Sequence, residues 1–298
     1  MITVYYGHRV TCNGSAATFG PDPGNVLAAA AFESFVRSLG VENALSIDDL
    51  DGPACAGNRF LLTFDDGYAD NMSELLPILE RMNLPAMIFV TTGFLDDRML
   101  PYGSRLTLFL EHHGEIGLPD GSSRQASNGD EKAALYNEIK RQVKPMTHPN
   151  RERYLASLFA QDGATAATTL PSTRMMLTQQ EIRQLDRHPL IRIGAHSQTH
   201  SQLNAIPRFA AYRDMAASKR DLERLLGRTV PDFAYPYGAH DRVVCWLARL
   251  CGFKRAFTTE PRAIEELGGE SAMKLPRVDL VKAARSRSIH QTKSAQRA

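Results

Sequence analysis

The sequence predicts an α/β protein built on a parallel sheet that closes, or nearly closes, into a barrel. Three observations predict it. Short apolar runs alternate with helical patterns along most of the chain, as parallel strands joined by helical crossovers require. The units are numerous enough to curl a sheet round on itself. The polar residues with chemical potential fall just after the strands, where parallel barrels open their working face. At 298 residues the chain is long enough for one large core of this kind.

Residues 2–6, Ile-Thr-Val-Tyr-Tyr, read as the first strand, and residues 26–39 as a helix with apolar residues at helical spacing. Residues 60–64 are a second, buried strand. Residues 71–82 are amphipathic, with Leu75, Leu76, Ile78 and Leu79 on the apolar side, and residues 86–90 are a third strand. Later come a strand at 190–193, a helix at 209–226, a strand at 232–235, a helix at 242–251 and a strand at 255–257. Residues 274–275 are a last short strand. Between the two halves, residues 96–178 break the rhythm: a polar segment at 117–130 precedes helix-like pieces at 131–143 and 151–159. This stretch reads as an insertion in a strand-to-helix loop, forming a cap or groove wall. Residues 1–281 therefore read as one barrel domain. Residues 282–298, where Arg285, Arg287, Lys293 and Arg297 sit among Ser, Gln and Ala, read as a basic flexible tail.

Composition narrows the function classes. A hydrophobic content of 43% with 23% charged residues is that of a soluble globular protein. A formal net charge of +2 gives no reason to expect nucleic acid or an anionic membrane as partner. No apolar run approaches the ~20 residues of a transmembrane segment. Cys12, Cys55, Cys245 and Cys251 form no CxxC pair and read as reduced thiols. The first ten residues lack the basic start, apolar stretch and cleavage site of a signal peptide. The expectation is a cytoplasmic protein; its oligomeric state is not legible.

The residues that follow each strand carry the chemistry. His8 follows the first, Asp65-Asp66-Gly67 the second, and Thr91 and Thr92 the third. His196 and His200 come next, then Pro236-Tyr237-Gly238, then Arg277. Asp66 with His196 and His200 offers one carboxylate and two imidazoles, a set that suits zinc or a similar transition metal. The His-x-x-x-His spacing brings both rings to one side if that segment turns helically. By itself the spacing more often marks surface or capping histidines. Two adjacent strand residues point to opposite faces, so Asp65 and Asp66 reach one site only if the chain bends, and Gly67 allows a bend. The plainer reading has one of them capping the next helix. Tyr235-Pro236-Tyr237-Gly238 is either a rim-stiffening turn or a source of backbone N–H groups and sugar-facing rings. His8 alone would pass for a structural histidine.

Together these residues resemble the polysaccharide deacetylase superfamily, the NodB-homology or carbohydrate esterase family 4 group. The resemblance runs from about Tyr5 to Leu280. Its most specific pieces are Leu62-Thr-Phe-Asp-Asp-Gly-Tyr-Ala-Asp-Asn71, Ile193-Gly-Ala-His-Ser-Gln-Thr-His200 and Phe233-Ala-Tyr-Pro-Tyr-Gly238. It implies a distorted (β/α) barrel, commonly of seven strands. It also implies a metal-dependent hydrolase that removes N-acetyl groups from amino sugars of a polysaccharide, an oligosaccharide or a precursor. In that reading Asp65 is the general base, Asp66, His196 and His200 bind the metal, and Tyr237 donates its N–H to the oxyanion. Tyr235, Tyr237 and Arg277 are the substrate-binding candidates.

Two departures stand out. The Arg that steadies the base in many members is replaced by Ala234, and the terminal Leu-x-His motif by Leu275-Pro-Arg-Val-Asp-Leu280. The branch that includes exopolysaccharide N-deacetylases is similar in both respects, and takes its acid from a Tyr-His element near the N-terminus. His8, in Tyr5-Tyr-Gly-His-Arg-Val10, fits that element with Gly7 as one extra residue. Arg277 is then placed to orient Asp65. The alternatives are an O-acetyl esterase, an N-deformylase, or a carbohydrate-binding relative without turnover.

Overall fold

The structure, a computed structural model, describes residues 1–14, 22–51, 57–119, 121–160, 174–264 and 269–295. Its strands are β1 (Ile2–Gly7), β2 (Arg9–Thr11), β3 (Val26–Ala28), β4 (Ala44–Leu45), β5 (Arg59–Asp66), β6 (Ala86–Val90), β7 (Glu115–Gly117), β8 (Ser123–Gln125), β9 (Ile191–Ala195), β10 (Asp232–Ala234), β11 (Arg255–Phe257) and β12 (Val278–Asp279). Its helices are α1 (Asp22–Asn25), α2 (Ala29–Leu39), α3 (Leu76–Met82), α4 (Tyr102–His112), α5 (Gly129–Val143), α6 (His148–Ala160), α7 (Gln179–Arg187), α8 (Arg208–Leu226), α9 (Arg242–Leu250) and α10 (Leu280–Ala295).

Seven parallel strands in the order β11-β10-β9-β6-β5-β1-β12 form a curled sheet, the distorted barrel expected from the sequence. Short β4 adds to β5. The edges approach through one parallel bridge, Phe257 to Leu275, just before β12. Burial on both faces explains why β5 and β6 read as apolar runs without polar alternation. Along each strand one set of residues, Val4, Leu61, Met87, Phe89, Ala234 and Phe257, packs together inside the curl. Their neighbours Tyr5, Leu62, Ile88, Phe233 and Ala256 pack outward with the helices. The inner face is crowded: a Cβ on Gly194 would lie 2.6 Å from Met87 Cε and 2.7 Å from the Phe89 ring.

Several elements differ from the sequence reading. Residues 26–28 are a strand pairing with β2, and the helix starts only at Ala29. Residues 71–75 form a π-helical turn before α3. Leu275 provides the bridge, while the last strand is β12. The insertion pieces at 131–143 and 151–159 are α5 and α6; α4 and the antiparallel β7–β8 hairpin were not legible. The insertion has its own cluster, with Leu106, Phe109, Ile116, Leu135, Ile139, Leu155 and Leu158 at its centre.

The flexible-tail expectation needs correcting over residues 282–295, which continue α10. Leu280, Val281 and Ala284 join the main core, and Arg287 Nη1 donates to the Ser38 carbonyl at 3.0 Å and its Oγ at 2.7 Å. A short apolar stripe outweighs the basic residues around it. Residues 296–298 and Cys55 lie outside the described residues. Cys12, Cys245 and Cys251 are free thiols. Among the described residues no helix is long and apolar enough to cross a membrane.

Candidate active site

Strand parity aims Leu61, Thr63 and Asp65 into the barrel, which would send Asp66 the other way. The chain avoids this by turning at Asp66 itself, whose φ is 77°, followed by Gly67 at 85°. The bend thus begins one residue earlier than Gly67. Ser197, His200 and Tyr237 are also left-handed, at 66°, 51° and 61°. Such backbone costs of order 1–3 kcal/mol per non-glycine residue and persists where surrounding structure enforces it.

The enforcement is visible around residues 196–200, which form a pinned turn rather than a helical one. His196 donates its N–H to the Val90 carbonyl at 2.9 Å, and its own carbonyl accepts from Thr91 Oγ1 at 3.0 Å. Asp214 of α8 accepts the Gln198 N–H at 2.7 Å and also binds Thr199. His200 N–H donates to Ser197 Oγ at 2.9 Å. Gly93 donates to the Gln198 carbonyl at 2.9 Å, and a Cβ there would sit 2.4 Å from that oxygen. Only glycine permits so close an approach.

This scaffold brings Asp66, His196 and His200 together, with one ligand atom of each within 4.8 Å of the others. Asp66 Oδ1 is 3.5 Å from His196 Nε2 and 3.2 Å from His200 Nε2. The His196 Nδ1 faces the Ala234 carbonyl at 2.8 Å, so that nitrogen carries the proton and Nε2 keeps its lone pair. His200 Nδ1 is 3.1 Å from the Tyr237 hydroxyl. Burial pushes His196 down to about 4, which keeps it neutral. Burial alone would raise the Asp66 carboxyl, but His200 and the other histidines outweigh it and hold Asp66 well below the usual range. Among the described residues Asp66 Oδ1 is buried without a hydrogen-bond partner. An orphaned carboxylate oxygen beside two ring nitrogens with outer partners fits a divalent metal.

Asp65 sits beside this set, 4.0 Å from His196 Nε2. Arg277 clamps it through Nη1 to Oδ1 at 2.7 Å and Nη2 to Oδ2 at 2.8 Å. The same guanidinium donates to the Thr258 carbonyl at 2.9 Å and to Thr63 Oγ1 at 3.0 Å. Burial would raise the Asp65 carboxyl; Arg277 and His196 outweigh it and keep it ionised. Arg277 is fully buried and stays out of the cavity. Of the two expectations the sequence held for it, the geometry agrees with the one that has Arg277 orient Asp65, and Arg277 does not line the cavity as a substrate contact would. It fills the role left vacant by Ala234, from a different strand.

Tyr235 is a second correction. Parity turns it outward into the main core, where its hydroxyl donates to the Met273 carbonyl at 3.1 Å, and it does not reach the cavity. Tyr237, two residues on and past the bend, does line it. Its neighbours Gly238 and Ala239 donate to the Tyr235 and Pro236 carbonyls, whereas the Tyr237 N–H has no such acceptor among the described residues.

Asp65, Asp66, His196, His200 and Tyr237 line a cavity of about 530 Å³ together with His8, at the end of β1. Asn71 Nδ2 holds the His8 carbonyl at 2.9 Å. One wall of the cavity comes from the insertion: Tyr102, Tyr136, Lys140, Lys144, His148 and Arg151. Sequence reasoning missed these six. They lie on helices whose register toward the barrel depends on tertiary packing, so no spacing marks them.

Residues 55–256 match the family model described as polysaccharide deacetylase. Among curated proteins none matches. Of solved structures, a polysaccharide deacetylase from Bacillus cereus is similar over 96% of this chain and 68% of that one, with 15% identity and a TM-score of 0.60. IcaB from Ammonifex degensii is similar over 95% of each chain, at 16% identity and a TM-score of 0.58. A de-N-acetylase from Aggregatibacter actinomycetemcomitans is similar over 94% of this chain and 95% of that one, at 15% identity and a TM-score of 0.54. At these identities the structures speak to the fold. The family match spans more than half of the sequence, and the chain belongs to the polysaccharide deacetylase family.

Proposed function

We propose that this chain is a metal-dependent hydrolase that removes N-acetyl groups from amino sugars of a polysaccharide, an oligosaccharide or a precursor. The observation that carries the reading is one cavity holding Asp66, His196 and His200 beside an Asp65 clamped by Arg277. Asp66, His196 and His200 would hold a divalent transition metal, zinc by the character of the donors. Such an ion, when bound, polarises the acetyl carbonyl and lowers the pKa of water from 15.7 toward ~7. Asp65, kept ionised by Arg277, takes the proton of the attacking water. The Tyr237 N–H faces the developing oxyanion as a donor. His8 protonates the departing nitrogen. An amide needs this last step because an amine anion is a very poor leaving group, whereas an activated ester does not. The de-N-acetylase among the structural neighbours supports nitrogen as the acyl-bearing atom.

The test is acetate release from N-acetylglucosamine oligomers before and after chelation and zinc return, with His8→Ala compared on an amide and an activated acetate ester. Activity should vanish with the metal and return with it, and His8→Ala should slow the amide much more than the ester. Unchanged activity in metal-free protein would overturn the metal role, and equal losses on both substrates would overturn the acid role of His8.

A further inference from the structure

The wall that the insertion turns toward the cavity is cationic, and its charges meet aromatic rings and a backbone carbonyl but no carboxylate among the described residues. Lys140, Lys144 and Arg151 all line the cavity. Lys144 Nζ lies 4.5 Å from the centroid of the Tyr237 ring, whose hydroxyl reaches His200. Lys140 Nζ lies 5.7 Å from the Tyr136 ring centroid. Arg151 is 3% exposed and stacks at 5.0 Å over Tyr102, another cavity residue. One of its nitrogens donates to the Thr199 carbonyl at 2.9 Å, while Nε and Nη1 are buried with no partner among the described residues.

The one carboxylate of this wall, Glu152, is already taken by Arg105 at 2.6 Å. None of the three cations has a carboxylate partner among the described residues. The two other buried arginines among the described residues are paired, Arg255 with Asp232 at 2.6 Å and Arg277 with Asp65 at 2.7 Å. Three converging unpaired cations, one of them buried with two orphaned donors, are costly unless an anion joins them. With a chain net charge of only +2, the wall is a local feature and not a general field.

We propose that the substrate carries an anionic group, a carboxylate or a phosphate, within about one sugar ring of the acetyl group, received by Lys140, Lys144 and Arg151. The inference rests on the deacetylase reading and narrows its substrate to an acidic amino-sugar material: a uronate-containing chain or a sugar phosphate. Neutral oligomers of N-acetylglucosamine would then be the poorer substrates.

The test compares matched pairs in the zinc-loaded enzyme. A hyaluronan tetrasaccharide is set against a neutral N-acetylglucosamine tetramer, and N-acetylglucosamine 1-phosphate against N-acetylglucosamine. The first pair reads a carboxylate and the second a phosphate. One anionic member should exceed its neutral partner at least tenfold in kcat/KM. Lys144→Gln, and more so Lys140→Gln with Lys144→Gln, should remove about tenfold of that advantage through KM, as loss of a charge-assisted contact does, with a clearly smaller loss on the neutral substrate. Arg141→Gln, the same charge change on an α5 residue outside the cavity, should alter neither. Equal turnover of neutral and anionic members, or equal losses on both in the lysine variants, would overturn the proposal. Calorimetry with glucuronate and inorganic phosphate reads the wall without catalysis. Binding of one anion, lost in the double lysine variant, upholds the cationic site even if no substrate yields acetate. Binding of neither overturns it.

Discussion

Replacing Arg277 with Met tests whether Asp65 depends on a buried partner. The pair is 0% and 5% exposed at its side chains, and both of its contacts are shorter than 2.9 Å. Removing one side leaves a buried carboxylate at the cavity floor without its partner, at a cost of about 3–5 kcal/mol. The Thr258 carbonyl also loses its donor, adding about 1 kcal/mol. For 298 residues at about 2.1 cal/mol/K each, a total of about 4–6 kcal/mol corresponds to roughly 6–10 °C of Tm. A double-mutant cycle with Asp65→Asn isolates the pair. Each single variant leaves a buried group unmatched, and the double variant removes the mismatch, so it should recover about 2–3 kcal/mol relative to the sum of the two. Urea denaturation of the four proteins measures this. Arg277→Lys should restore little activity, because an ammonium cannot bind both carboxylate oxygens in the fork geometry. Strictly additive losses in the cycle would refute the reasoning, since Asp65 would then be held by something other than Arg277.

Tyr237→Phe removes the hydroxyl 3.1 Å from His200 Nδ1 and should weaken metal binding about 10–100-fold, read by competition with a zinc indicator. Tyr235→Phe should leave acetate release within about twofold while costing about 1 kcal/mol, because the buried Met273 carbonyl then keeps only the weaker Cys245 thiol donor at 3.7 Å. Gly194→Ala drives a methyl against Met87 and Phe89 inside the barrel and should cost about 1–3 kcal/mol of stability, measured by denaturant midpoint.

The parts of the fold legible in the sequence are those where burial is symmetrical. β5, β6 and β9 announce themselves because both faces are packed, so most positions between the turns are apolar or small, with Arg192 the one charged residue inside the β9 run. β12 and the hairpin of the insertion were hidden because they are short and partly exposed. The Asp65, Asp66, His196 and His200 constellation was legible because strand ends in a parallel barrel share one face. The roles around it were less so. Whether Arg277 meets a substrate or Asp65, and whether Tyr235 faces the cavity or the core, is decided by strand parity at positions next to a bend. A shift of one residue reverses the answer. The Arg287 contact with Ser38 joins residues at opposite ends of the chain, which no local pattern encodes.

The insertion's separate core has an evolutionary consequence. Its cluster of Leu106, Phe109, Leu135, Ile139, Leu155 and Leu158 is distinct from the clusters that support the strand ends. Its closest ties to the reactive floor run through a few side chains: Arg151 to Thr199, and Lys144 to Tyr237. Changes on its cavity-facing helices can therefore retune which sugars are admitted while the hydrolytic apparatus is inherited intact. Descendants of one barrel can diversify in diet by rewriting a single loop.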